Sequence, residues 1–133
     1  MLETLSAADR TAIREAAAEA PGLRLLVLHG SRARADARLD SDWDFAYLAD
    51  TTFDPDALLA YLASRLRADR IDLADLRTAS GQLRYRVARD GVTLYARPAG
   101  EWERFWMDAV SFWCDAAPVL GAAYDGALSE LAR

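Results

Sequence analysis

Leu23 to Leu28 reads LRLLVL, a short and nearly continuous apolar run closed by His29-Gly30. A run of this length, ended by a turn signal, reads as a buried strand and not as one half open to water. The rest of the chain must supply the layers that cover it. With 133 residues, 53% of them apolar and 28% charged, it has the material for one core without disulfides or structural metal. The expectation is a single domain over residues 1–133. Collagenous, disordered and low-complexity classes are excluded, and no solenoid period is present.

The flanking sequence says what covers the strand. Ser6 followed by Asp9 has the form of a capping box, and Ala-rich sequence runs to Ala20 before Pro21-Gly22, so a helix is expected from about 7 to 19. Ser31 to Arg38 is expected as a short helix, and Asp42 to Leu48 as a second strand. In that strand the period of two puts Asp42, Asp44 and Ala46 on one face and Trp43, Phe45 and Tyr47 on the other. Asp54-Pro55 fits a helix start, and Leu58, Leu59, Leu62 and Leu66 carry the stripe to about Arg67. Ile71 to Leu76 alternates as a third strand. Gln82 to Ala88 reads as helix or strand, Asp90-Gly91 as a tight turn, and Val92 to Ala96 as a strand. An aromatic-rich helix is expected from Glu101 to Asp115, stopped by Pro118, with a last amphipathic helix after it. The fold class is α/β (α+β): a small mixed β-sheet covered by helices.

Charge narrows the function. All 16 basic residues are Arg, against 21 acidic residues, for a net charge of −5. A protein that works by neutralising a nucleic-acid backbone is normally basic, so no direct nucleic-acid binding is expected beyond local patches. The single Cys114 excludes an internal disulfide and a Cys-based zinc site, and reads as a buried apolar filler. MLETLSAADR has neither a basic nor an apolar leader segment, and no long apolar run appears. A soluble, cytoplasmic protein with no membrane partner is expected.

The chemistry concentrates in Gly30-Ser31, ten further residues, then Asp42-Trp43-Asp44. Gly30 ends a buried strand and permits a tight turn, while Ser31 and the following amides open a helix whose N-terminus favours a phosphate. Carboxylates at i and i+2 of a strand share a face about 7 Å apart at the backbone, and their side chains can converge. Divalent metals suit that geometry. Mg²⁺ takes a few carboxylates together with phosphate oxygens, and two such ions roughly 4 Å apart clamp both the attacking and the leaving oxygen.

The stretch HGSRARADARLDSDWDF resembles the GS-x10-DxD signature of the minimal nucleotidyltransferases, the small branch of the polymerase-beta-like superfamily. The likeness continues through Arg70-Ile71-Asp72-Leu73, similar to the strand that supplies the family's third carboxylate, and LRYRVARDGVTLY, similar to the segment after it. It covers residues 22 to 118. The resemblance implies the polymerase-beta-like nucleotidyltransferase fold, with Gly30 and Ser31 on the triphosphate and Asp42, Asp44 and Asp72 as the catalytic carboxylates holding two Mg²⁺. It implies in-line attack of a hydroxyl on the α-phosphorus of an NTP, with ATP the expected substrate and pyrophosphate leaving. Two positions depart from the family pattern. Ala35 stands where many relatives have a second glycine, and Trp43 replaces a small aliphatic residue, with its ring expected to point away from the metals and pack under the helices.

Members of this family pair with HEPN-domain proteins as antitoxin and toxin, the antitoxin transferring AMP to a tyrosine of the toxin. That role is the expectation here, because the chain carries a catalytic module and little else. The alternatives are a non-catalytic antitoxin acting by occlusion and a small-molecule adenylyltransferase. Asp75 competes with Asp72 as third carboxylate, but falls on the opposite face by parity. Arg32 and Arg34 read either as surface charges or as phosphate ligands, and with no Lys present Arg must fill any such role. His29 reads as a packed or capping side chain. On the aromatic helix, residues 102, 106, 109 and 113 form one face and Phe105 and Phe112 another, which leaves core and a partner or homo-oligomer surface both open.

Overall fold

A computed structural model describes residues 5–34 and 41–131, with side chains up to residue 116. Helix α1 (Ala7–Glu19) begins where Ser6 Oγ accepts the Asp9 amide at 3.0 Å. Strand β1 (Leu23–His29) follows Gly22 and leads directly into α2 (Gly30–Ala33), a single turn. After residues 35–40, which lie outside the described residues together with the end of the expected 31–38 helix and Ala35, comes β2 (Trp43–Ala49). Helix α3 (Pro55–Leu66) is capped by Asp54 Oδ1, which accepts the Asp56 and Ala57 amides, and it ends at Arg67 in the left-handed region. Then follow β3 (Ile71–Asp75), α4 (Gly81–Asp90), β4 (Val92–Ala96) and α5 (Glu101–Leu131).

The four strands form one mixed sheet in the order β3-β2-β1-β4. β1 is antiparallel to β2 and β4, while β2 and β3 are parallel across the α3 crossover. Strand β1 therefore lies inside the sheet, and Leu25, Leu26 and Val27 are fully buried, as the unbroken apolar run requires. Each face has its own core. On one, Leu26, Leu28, Trp43 and Phe45 pack with Ile13 and Ala17 of α1 and Leu58 and Leu62 of α3. On the other, Leu25, Val27 and Ala46 pack with Val87 and Ala88 of α4 and Phe105 and Ala109 of α5. Trp43 thus turns to the α1/α3 face and stacks alongside Phe45 with 6.2 Å between rings, as its parity requires.

Several boundaries differ from the sequence reading. Gln82 to Ala88 is helical, started by Ser80 Oγ accepting the Leu83 amide. Strand β2 starts at Trp43, so Asp42 immediately precedes it. Pro118 does not stop α5, which runs unbroken for 31 residues. An internal proline forfeits one hydrogen bond and crowds the preceding turn, at a cost of about 3 kcal/mol. Ala116 and Ala117 before it and Ala122 and Ala123 after it are the best helix formers, and they carry the helix across.

The phase of α5 is also resolved. Its buried line is Glu101, Phe105 and Ala109, at spacings of four, and it does not include Trp106. Trp106, Met107 and Phe112 stay 43%, 62% and 59% exposed, so the aromatic helix serves as core on one line only. Cys114 is exposed, not a core filler, because it lies away from that line. Trp113 stacks on Tyr85 at 5.2 Å, and the Phe112 ring lies against Gly81, which holds α5 along α4.

Candidate active site

The site residues gather at the end of the sheet where β1 stops. Pairing sets His29 opposite Asp44 and Asp44 opposite Asp72, so three polar side chains stand in one row across three strands, on the α4/α5 face. Neighbouring strands are about 4.8 Å apart, so the backbones of Asp44 and Asp72 lie closer than those of an i, i+2 pair along one strand. Asp75 is on the other face with Tyr47, and its Oδ1 accepts the Arg77 amide at 2.9 Å. Parity therefore sets Asp72, and not Asp75, on the face of Asp44.

Gly30 fits this place for two reasons. Its φ is +72°, in the left-handed region that side chains disfavour, and a Cβ on it would lie 2.3 Å from Asp44 Oδ2. The carboxylate of Asp44 occupies the space that glycine leaves. Ser31 follows in α2, whose one described turn has too few peptide dipoles for a strong macrodipole. Phosphate held here would be held by the turn's own amides and the Ser31 hydroxyl. Asp42 stands at the margin, 61% exposed, with Oδ1 4.0 Å from Arg70 Nη1.

Electrostatics mark Asp44 as the centre. Its carboxyl is pushed above the ordinary range, first by burial and further by the negative charges of Asp72 and Asp42, while His29 and Arg34 act in the opposite direction. Burial also depresses His29, against the pull of Asp44 and Asp72. His29 is only 9% exposed, and its Nε2 has no hydrogen-bond partner among the described residues. From sequence alone this histidine reads as a packed or capping side chain, and its side chain makes no cap hydrogen bond to α2. Its place beside Asp44 became visible only with the strand register.

The arginines divide. Arg32 donates from Nε and Nη2 to the Ser41 carbonyl, at 3.2 and 2.8 Å, and its guanidinium covers the Trp43 ring at 4.0 Å. It braces the turn. Arg34 closes α2, its amide donating to the Gly30 carbonyl at 3.2 Å, and it is the arginine that acts on Asp44. Among the described residues no three His, Cys, Asp or Glu side chains converge tightly enough to hold a metal ion. The donor set nonetheless fits Mg²⁺. It is all oxygen, and the negative charges of Asp72 and Asp42 that help push the Asp44 carboxyl up would be relieved by a cation of high charge density.

The polymerase beta nucleotidyltransferase family matches residues 11–99, which contain every residue of this row. A protein adenylyltransferase MntA of Aphanizomenon flos-aquae is 35% identical over 97 residues, covering 64% of this chain and 65% of that protein. The chain therefore spans just under two-thirds of that relative's length. Among solved structures, a chain of a toxin-antitoxin complex with AMP-PNP superposes with a TM-score of 0.69 at 30% identity, covering 89% of this chain and 94% of that one. A chain of the Shewanella oneidensis complex between an MNT antitoxin and a tri-AMPylated HEPN toxin gives 0.65 at 28% identity, covering 90% and 98%. With its mixed four-stranded sheet, its glycine turn beside a half-buried carboxylate and this match over most of its length, the chain belongs to the polymerase beta nucleotidyltransferase family.

Proposed function

We propose that the chain is a magnesium-dependent adenylyltransferase that transfers AMP from ATP to a tyrosine hydroxyl of a HEPN-type toxin, and so acts as its antitoxin. The observation that carries this reading is the cross-strand row of Asp44 and Asp72 beside Gly30, which joins a left-handed glycine turn to paired carboxylates. The similar proteins named as protein adenylyltransferase and as antitoxin with AMP-PNP or an AMPylated toxin support the same chemistry.

The amides after Gly30 and the Ser31 hydroxyl bind and orient the triphosphate, with Arg34 supplying positive charge beside it. Asp42, Asp44 and Asp72 would hold two Mg²⁺, and Asp72 lies on the side of the incoming hydroxyl. Bound Mg²⁺ supplies charge neutralisation of the phosphates and lowers the cost of ionising the attacking hydroxyl. The hydroxyl oxygen attacks the α-phosphorus in line, the α–β bond breaks, and pyrophosphate leaves. No protein nucleophile takes part, so positioning accounts for most of the rate.

Incubation with α-labelled ATP, Mg²⁺ and the protein encoded beside this chain tests the reading. Label should appear on the neighbour with wild type, and should disappear with Asp44→Asn while the variant stays folded. Label on the neighbour from the Asp44→Asn variant at the wild-type rate would refute the assignment.

A further inference from the structure

The chemistry above leaves unused a cavity on the reverse side of the same sheet end. It measures about 430 Å³, within the range of small-ligand sites, and is lined by Arg32, Trp43, Arg67, Asp69 and Arg70 among others. Among the described residues, three guanidiniums against Asp69 in the lining and Asp42 beside Arg70 at its edge leave a local positive excess in a chain of net charge −5. Arg67 holds the C-cap of α3 at φ +51°, a backbone state that glycine or asparagine adopts with less strain. Among the described residues its guanidinium has no hydrogen-bond or ion-pair partner.

The cavity shares a wall with the proposed catalytic row. The Arg70 carbonyl accepts the Trp43 amide at 2.9 Å, and its guanidinium is 4.0 Å from Asp42. Two residues further along β3 is Asp72, the carboxylate on the acceptor side. Arg32 already covers the Trp43 ring, so the cavity presents charge and no open aromatic shelf. It therefore suits a phosphate group better than a base.

We propose that this cavity binds the phosphodiester of a nucleotide already attached to the acceptor, and so lets one transfer follow another. This rests on the adenylyltransferase reading and extends it. The Shewanella oneidensis toxin bound to the similar antitoxin carries three AMP units, a product whose earlier phosphates must leave the carboxylate row before the next unit is added. In the second transfer a ribose hydroxyl of the attached AMP attacks the α-phosphorus of a fresh ATP. One P–O bond forms, the α–β P–O bond breaks, pyrophosphate departs with the electron pair, and the hydroxyl proton passes to water.

The test uses Arg67→Asn, which removes the charge at a position whose backbone asparagine tolerates, and Arg67→Glu, which reverses it. With the neighbouring toxin, ATP and Mg²⁺, intact-mass analysis should show the first AMP added at the wild-type rate and the second and third slowed about tenfold or more, with Glu the worse. A second arm needs no toxin. Calorimetry with 5′-phosphorylated diadenylate and, separately, with pyrophosphate should show the diadenylate weakened about tenfold by Arg67→Asn and pyrophosphate unchanged. Equal weakening of pyrophosphate would assign the cavity to the leaving group and overturn the proposal. So would an unchanged distribution of AMP units. A wild-type protein that adds no AMP would refute the adenylyltransferase reading, and the diadenylate arm would still decide whether the cavity binds phosphodiesters.

Discussion

Replacing Gly30 by alanine separates the site from the fold. The new Cβ would lie 2.3 Å from Asp44 Oδ2, and restoring an ordinary contact of 3.4 Å moves that carboxylate by about 1 Å. A left-handed φ of +72° adds about 1–2 kcal/mol of backbone strain. Against a typical stability of about 5–15 kcal/mol the domain stays folded. A displacement of about 1 Å at a catalytic group, however, can lower a rate by about a hundredfold. Gly22 is the matched control, because its φ is +77° and its Cβ would meet Thr52 Oγ1 at 2.5 Å, at the opposite end of β1. Gly22→Ala and Gly30→Ala should lose similar stability in urea, while only Gly30→Ala loses AMP transfer. Equal transfer by the two variants would show that Asp44 need not occupy the space beside Gly30.

Glu101, 3% exposed, accepts two hydrogen bonds from Arg24 and one from Arg97 at the far end of the sheet, so Glu101→Gln should cost about 2–3 kcal/mol in urea, below a fully buried pair because the arginines keep 31% and 43% exposure. The Arg24 hydrogen bonds chiefly hold its carboxyl below the ordinary range, so this contribution is complete above about pH 4.5 and is lost as pH falls through the lower folded value; the gap in Tm between wild type and Glu101→Gln should narrow as pH falls below about 4.5. Phe105→Ala, at a side chain only 2% exposed, should cost about 3–5 kcal/mol, while Trp106→Ser at 43% exposure should cost under about 1 kcal/mol; equal losses would misplace the core line of α5. Asp72→Asn should abolish transfer without destabilising the fold, because an exposed carboxylate that repels Asp44 is neutralised, and a clear fall in Tm would contradict that account.

The elements were legible where local chemistry decides them. The LRLLVL run, the Ser6 and Asp54 caps and the parity of Asp44 against Trp43 each depend on neighbours within a few residues, and each is in the structure as read. What depends on distant partners was not legible. The row His29-Asp44-Asp72 exists because β1 pairs antiparallel and β3 parallel with β2, and no residue in His29-Gly30 announces that pairing. The phase of α5 was hidden for another reason. Trp102, Phe105, Trp106, Phe112 and Trp113 leave several apolar stripes, and the one that is buried is chosen by α4, where Arg84 lies over the Phe105 ring and Gly81 leaves room for Phe112. Cys114 illustrates the limit of residue-type averages, since a cysteine is buried only if its helix phase puts it inside.

The carboxylate row costs the fold stability, and that cost carries functional information. A carboxyl whose folded pKa is raised binds more protons in the native state, so stability falls as pH rises from the ordinary carboxylate value through the raised one. At neutral pH Asp44 therefore works against folding, through burial and through Asp72 and Asp42 beside it. A sequence shaped by stability alone would place an apolar or amide side chain beside Gly30, as it places Ala46 and Val27 one step further into the same face. A cation bound only by the native state reverses the penalty by mass action, and the same cation is what phosphoryl transfer needs. The carboxylate that works against folding thus lies within the span matched by the nucleotidyltransferase family, where a bound cation would offset its cost.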